Sequence, residues 1–349
     1  MQPKKESIMI SKWKEPTKPL VSVICPTYNH QEYIEDALKG FLIQETDFPF
    51  EIIIHDDASN DDTPNIIKKY ADKYPKIIRP ILQTENQQSK GRKSLLIAAR
   101  YATGQYVALC EGDDYWTDQY KLKLQIAGLE NYSNCQLSFH CATKHNLKTG
   151  KFGTLGRYRE KDGIVSASEI IRKKNGSIPT ASCVIKKDAF EDFIKFIDKN
   201  QYVPIGDIFL QAIGASYGGG LYIDKCMSYY RFLGPNSWTL NSLKKENYFP
   251  FVKNRIKGFN ELLVFIKYNF EDDIKYVNRK FVMDFIKSSS SKSEKKKILD
   301  ISLSCLKSYQ IILSYLILYF PTFLIVYKAI VRTMVLLRKY SLLPKLKRN

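Results

Sequence analysis

Leu109-Cys110-Glu111-Gly112-Asp113-Asp114-Tyr115-Trp116 carries a short apolar strand straight into three carboxylates. Two upstream stretches end in the same way: Val21-Ser-Val-Ile-Cys-Pro-Thr-Tyr-Asn29 and Glu51-Ile-Ile-Ile-His-Asp-Asp-Ala-Ser-Asn-Asp-Asp-Thr63. Each reads as a buried strand that delivers polar groups at its C-terminal end. In an open parallel α/β sheet, ligands bind outside those ends. Carboxylates repel a phosphate, but they hold a hard divalent cation that binds one. The pattern predicts a metal-assisted site for a nucleoside-diphosphate ligand.

The segments between these strands have helical periodicity. Ile34, Ala37, Leu38, Phe41 and Leu42 share a face, and Ile66, Ile67, Tyr70 and Ala71 share another, after a predicted cap at Thr63 and proline at Pro64. A third strand is predicted at 78–82, a third helix at 94–102 and a fourth strand at 105–111. Such alternation implies a parallel sheet with right-handed crossovers. Beyond residue 120 the pattern predicts a helix at 121–132, strands at 136–140, 182–186 and 221–232, and helices at 188–197 and 208–216. Residues 144–174 read as a basic, loop-rich stretch, 244–287 as amphipathic helix, and 288–297 as a flexible charged linker.

The 349 residues carry a net charge of +18, which calls for an anionic partner: nucleic acid, a phosphorylated ligand or an anionic membrane. After Tyr327 the sequence has Lys328, Arg332, Arg338, Lys339, Lys345, Lys347 and Arg348 and no acid. It follows the uncharged run Ser308–Tyr327, which Pro321 interrupts. About 20 apolar residues suffice for a span. Tyrosines beside basic residues suit an interface, so the run reads as an interfacial helix, a span or a buried helix pair. The first fifteen residues lack an apolar signal core. The seven cysteines, without C-x-x-C spacing, read as small buried hydrophobes of a reducing compartment, and no Cys/His spacing suggests zinc.

Taken together, V-S-V-I-C-P-T-Y-N at 21–29, I-I-I-H-D-D-A-S-N-D-D-T at 52–63 and A-T-G-Q-Y-V-A-L-C-E-G-D-D-Y-W at 102–116 resemble the family 2 glycosyltransferases of the GT-A fold. The likeness covers roughly the first 130 residues and is looser afterwards. It implies an α/β, mostly parallel Rossmann-like sheet with flanking helices, an inverting transfer from a nucleotide sugar, and Mn²⁺ or Mg²⁺. Together with the composition of the remaining sequence, it divides the chain into an N-terminal extension (1–19), a catalytic domain (20–240), a helical extension and linker (241–300) and a membrane-associated tail (301–349). Within the catalytic domain, 20–130 is the donor half and 131–240 the acceptor half.

Several site residues follow. Glu111-Gly112-Asp113 occupies the family's D-x-D slot with glutamate first, and Asp114 adjoins it. These are the expected metal ligands, serving a leaving diphosphate. The resemblance places Pro26, Thr27, Tyr28, Asn29, Asp56 and Asp57 around the nucleotide, with Asp57 reading the base. A capped turn needs the same residue types at 56–59. Lys90 and Arg92 bring positive charge toward the phosphates or form a solvated basic loop; Lys90-Gly91-Arg92-Lys93 is not a Walker sequence. Asp207, among apolar neighbours that raise a carboxyl pKa, is the expected general base, or else a helix cap. Arg231 resembles a donor-closing arginine able to grip diphosphate bidentately. Trp238 offers a face to a sugar or packs a lid, and His140 and His145 touch the acceptor side or serve as structural hydrogen-bonders.

The leading expectation is a non-processive enzyme at the cytoplasmic face of a membrane, using a UDP-linked sugar and a lipid-linked or polysaccharide acceptor. A processive synthase calls for a Q-x-x-R-W motif, which is missing. A nucleotidyltransferase shares the sheet type but releases pyrophosphate. A nucleic-acid-binding protein is prompted by charge alone, without a recognition motif.

Overall fold

The computed structural model describes residues 2–15, 18–204, 206–234, 244–267 and 269–320. Contacts divide the chain into two units, residues 1–241 with 262–270, and residues 242–261 with 271–349.

The first unit is built on one sheet. Its strands are β1 (Val21–Thr27), β2 (Phe50–Asp56), β3 (Ile78–Leu82), β4 (Tyr106–Leu109), β5 (Tyr115–Trp116), β6 (Leu137–Asn146), β7 (Lys151–Leu155), β8 (Gly163–Val165), β9 (Val184–Lys186) and β10 (Gly220–Phe232). The order is β3-β2-β1-β4-β9-β6-β10-β5, with β7 on β6 and β8 on β10. The β3-β2-β1-β4 half is parallel throughout, as the alternating strand–helix pattern predicts. β9 runs antiparallel between β4 and β6, and β10 returns parallel to β6. The helices are α1 (Glu6–Ile10), α2 (Ile34–Leu42), α3 (Thr63–Lys73), α4 (Ser94–Ala99), α5 (Lys121–Asn131), α6 (Ala167–Ile171), α7 (Lys187–Lys199) and α8 (Asp207–Ser216).

Val23 and Ile24 of β1 and Ile53 and Ile54 of β2 are fully buried, so both strands are covered on both faces, as all-apolar strands require. Phe41 of α2 meets the Trp116 ring edge-on at 4.8 Å, and the Trp116 indole N–H donates to the Ala181 carbonyl. A Cβ at Gly40 would lie 2.7 Å from the Trp116 carbonyl oxygen, so only glycine lets α2 approach β5 this closely.

Four expectations are corrected. Thr63 does not cap α3: the cap position is Asp62, and the Thr63 hydroxyl accepts the His30 main-chain N–H. The stretch 144–174 contains β7, β8 and α6, the last opened by a Ser166/Glu169 capping box that basic composition had obscured. The 288–297 linker includes the start of a helix, Lys292–Asp300, with a second such box at Ser291/Glu294. Cys141 and Cys226 are joined as a disulfide, while Cys25, Cys110, Cys135, Cys183 and Cys305 are buried thiols. The paired cysteines are 85 residues apart, and only the alignment of β6 with β10 brings their Cα atoms to 4.7 Å.

Lys121 opens α5 fully buried. Its ammonium donates to Gln125 Oε1 at 2.7 Å and lies 4.1 Å from the centre of the Trp116 ring. Burial pushes its pKa down to about 7. An unfolded chain holds that proton up to about pH 10.4, so between the two values the unfolded state binds more protons and stability rises with pH. Below about pH 7 both states are charged and the cost is full. Thermal unfolding of wild type against Lys121→Met is expected to diverge below pH 9, with the flatter pH dependence in the variant. Parallel curves would show that the charge is not desolvated.

In the second unit, helices Lys245–Phe265, Glu271–Ile286, Lys292–Asp300 and Ser308–Tyr319 supply a core that includes Val252, Ile256, Phe285, Ile298 and Leu318. Helix Ser308–Tyr319 has 12 residues, about 18 Å of rise. Among the described residues no helix is long and apolar enough to cross a membrane. The tail from 321 onward, including its basic segment, lies outside the described residues.

Candidate active site

The C-terminal ends of β1, β2 and β4 meet at one edge, and their loops interlock through main-chain groups. Asn29 adopts φ +54°, donates its N–H to Ser59 Oγ and accepts the Asn60 N–H on its side-chain oxygen. Asp57 donates its N–H to the Thr27 carbonyl. The Pro26 carbonyl accepts the Gly112 N–H at 3.0 Å. A Cβ on Gly112 would fall 2.5 Å from Thr27 Oγ1, so glycine is what allows the acidic loop to lie against the β1 loop. Thr27 is buried and Tyr28 is exposed beside it.

Asp56 and Asp57 are both buried but work differently. Asp56 accepts the N–H and hydroxyl of Ser59, which is the capped turn the sequence allowed. Asp57 accepts the Gln87 N–H at 2.7 Å on one oxygen and the Gln88 N–H at 3.0 Å on the other, anchoring the basic loop. Each oxygen keeps a second lone pair for a ligand. Lys90 pairs with Glu85 in the solvent, and Arg92 donates to Gln87 Oε1 at 3.2 Å.

Glu111, Asp113 and Asp114 offer carboxylate oxygens that all lie within 4.8 Å of one another. Glu111 reaches solvent but is ringed by protein, Asp113 is half-buried and Asp114 is buried. The protein around Glu111, then the charges of Asp113 and Asp207, raise its pKa, by less than full burial would because the side chain reaches solvent. Burial, then Asp113 and Glu111, push Asp114 well above the carboxylate range against the pull of Arg231. This crowding of hard oxygen donors fits a divalent cation, which would relieve the repulsion. Mg²⁺ or Mn²⁺ suits such a set better than a soft metal.

Asp207 is the first residue of α8, with Gly206 at the cap position, and its Oδ1 accepts the next N–H, that of Ile208, at 2.7 Å. It is near enough to the cluster for its charge to act on Glu111 and on Tyr230. Tyr230 of β10 is flanked by Asp114, Glu111, Asp113 and Asp207, and burial followed by these charges pushes its hydroxyl pKa up. The sequence reading missed Tyr230, because alternation along a strand assigns it to the face opposite its neighbour Arg231.

Arg231 is placed differently from a free diphosphate ligand. Its Nη1 donates to the Asp113 carbonyl at 2.7 Å, its Nη2 pairs with Asp36 at 2.5 Å, and its main-chain N–H donates to Asp114 Oδ1 at 2.8 Å. The Tyr33 and Tyr115 rings lie 4.7 and 4.9 Å from the guanidinium carbon. His140, expected on the acceptor side, is corrected: it is fully buried in β6, bonded through Nδ1 to the Cys141 carbonyl, and cannot meet a ligand. Burial, then the Lys121 charge, hold its pKa well below the ordinary value. His145 bonds Tyr229 Oη at 2.8 Å through Nδ1 and stacks on Phe152. Trp238 lies outside the described residues.

Residues 22–182 match the model of glycosyl transferase family 2. An uncharacterized protein of Mycobacterium tuberculosis is 50% identical over 121 residues, 34% of this chain and 34% of that protein. TuaG of Bacillus subtilis, a putative teichuronic acid biosynthesis glycosyltransferase, is 38% identical over 122 residues, 35% of this chain and 46% of TuaG. The chain therefore spans from about a third to under half of the length of these relatives. The crystal structure of Staphylococcus aureus TarS residues 1–349 in complex with UDP-GlcNAc superposes with a TM-score of 0.54 at 18% identity, covering 83% of this chain and 91% of that one. That likeness shows the fold, an α/β sheet of GT-A type, as the strand order above requires. The segment 22–182, a little under half of the chain, is thus a glycosyl transferase family 2 segment.

Proposed function

We propose that the chain is an inverting glycosyltransferase that moves a sugar from a nucleoside-diphosphate donor, UDP-linked, to a polysaccharide or lipid-linked acceptor. The observation that carries this reading is the convergence of Glu111, Asp113 and Asp114 within 4.8 Å at the strand ends, with Asp207 at the start of α8 near enough for its charge to act on Glu111. Asp57, Thr27 and Tyr28 hold the nucleobase: a carboxylate accepts an imide N–H, and the exposed tyrosine ring covers the base. Glu111, Asp113 and Asp114 would hold Mg²⁺ or Mn²⁺, which when bound neutralises charge on the leaving diphosphate. Asp207 accepts the proton of the acceptor hydroxyl as that oxygen bonds to the anomeric carbon and the bond to diphosphate breaks. Attack opposite the leaving group inverts the centre.

The acceptor class is supported by the names of relatives: TuaG above, and TarS of Staphylococcus aureus, a poly(ribitol-phosphate) β-N-acetylglucosaminyltransferase 36% identical over 97 residues, 16% of its length. A place at the cytoplasmic leaflet is proposed from the tail. Tyr309, Ile312 and Phe320 are 61–63% exposed on and just after an uncharged helix, and the sequence beyond is basic without acids. Such a pairing suits acyl chains and anionic head groups, about 1 kcal/mol per basic residue near the surface. A donor screen tests the reading: release of UDP, GDP and dTDP from their sugars, with and without Mn²⁺, with washed membranes or soluble glycan as acceptor. UDP release that needs Mn²⁺ and is fastest with membranes is expected. Pyrophosphate release in its place would make the enzyme a nucleotidyltransferase.

A further inference from the structure

We propose that Arg231 is a positioning residue that fixes the loop 111–114 in the geometry a divalent cation takes, rather than a ligand of the diphosphate. This deepens the metal-site reading above and rests on it. The loop joins β4 to the two-residue β5, so little regular structure holds it, while three carboxyl groups are crowded within 4.8 Å of one another. Arg231 opposes that from both ends of its own structure. The main-chain N–H takes Asp114 Oδ1 and leaves Oδ2 for a cation. The guanidinium bonds the carbonyl of Asp113, not its carboxylate, so it tethers the loop without consuming the ligand.

The guanidinium is itself fixed. Asp36, in the first turn of α2, holds Nη2, Tyr33 and Tyr115 lie within 5 Å of the guanidinium carbon, and the side chain is 11% exposed. A planar fork gripped in this way has donors in set directions, which a lysine ammonium does not supply. The arrangement ties the start of α2, which follows the donor loop, to the acidic loop and to β10.

The test measures Mn²⁺ binding directly, by the electron paramagnetic resonance of the free ion, on the full chain with no sugar donor or acceptor. UDP binding is measured in parallel in EDTA. Partners of metal-binding side chains typically govern 10–100-fold in metal affinity. Arg231→Met and Arg231→Lys are each expected to weaken Mn²⁺ binding by about 10-fold or more, with UDP affinity in EDTA unchanged. Asp36→Asn, at a side chain about half exposed and so tolerated by the fold, is expected to weaken it by a smaller factor in the same direction. Wild-type Mn²⁺ affinity in Arg231→Met, or in Asp36→Asn should the arginine variants unfold, overturns the inference. A fall in UDP affinity without a fall in Mn²⁺ affinity makes Arg231 a diphosphate ligand and overturns it as well. Wild-type protein that binds no Mn²⁺ removes the underlying metal reading, a failure visible before any variant is made.

Discussion

Asp113→Ala is expected to lower sugar transfer by about 10³-fold or more while leaving the fold intact, because charge stabilisation of a leaving group is worth several kcal/mol. The side chain is well suited to this test. Among the described residues no hydrogen bond or ion pair uses the Asp113 carboxylate; what Arg231 holds is the carbonyl of that residue. Removing it also removes a charge that helps raise Glu111 and Asp114. An acid whose folded pKa is raised costs stability once pH exceeds its ordinary value, so the metal-free variant is expected to unfold no lower than wild type at pH 7. Asp114→Ala is the contrast. It leaves the partly buried Arg231 N–H without its acceptor, a loss that opposes the relief of an acid held well above its ordinary pKa, and activity falls with the metal site. EDTA should reproduce the Asp113→Ala loss in wild type, and Mn²⁺ should restore it. Full turnover in EDTA would take the metal out of the mechanism.

The contrast between these adjacent aspartates bears on what a sequence can reveal. The strand run from Val21 to Thr27 and its counterparts are legible because strands buried on both faces must be apolar throughout, and chemistry begins where that run ends. The acidic slot is legible as a cluster. Which carboxylate is bonded to the frame is not, because the bonding group is the main chain of a residue 117 positions away. Arg231 shows the same limit: its charge suggested a phosphate, and its partners are Asp36 of α2, Tyr33 just before α2 and Tyr115 of β5. His140 looked available in sequence because nothing local marks a histidine as buried. The β6–β10 pairing decided that, as it decided the Cys141–Cys226 pair. Composition hid the short β7, β8 and α6, because most basic residues of the stretch, such as Arg157, Arg159, Lys161, Arg172 and Lys173, lie in the connections around them. The parallel half is thus legible from local pattern, and the half after residue 130 depends on contacts distant in sequence.

Asp207→Asn is expected to cut turnover by about 10²–10⁴-fold with donor binding little changed, the usual range for loss of a positioned base. Asparagine keeps the shape and the side-chain oxygen that accepts the Ile208 N–H, so α8 still begins at the same residue. The substitution gives up a favourable charge in the first turn of a helix, about 0.3–1 kcal/mol. It also relieves the repulsion with Glu111, so the two effects oppose and the melting temperature should move little. What asparagine cannot do is accept a proton at neutral pH. The deficit should therefore sit in kcat rather than in the affinity for UDP-sugar. The acidic limb that a catalytic carboxylate gives to kcat/KM should vanish in the variant, a signature that a purely structural residue would not produce. Asp207→Ala separates the two roles further, since it loses both the bond to Ile208 and the base, and should be less stable than the asparagine variant but no less active. An asparagine variant within threefold of wild type, with its pH profile intact, would reduce Asp207 to the opening residue of a helix and leave the base to be sought among the other groups of the cleft, Tyr230 and Glu111 first.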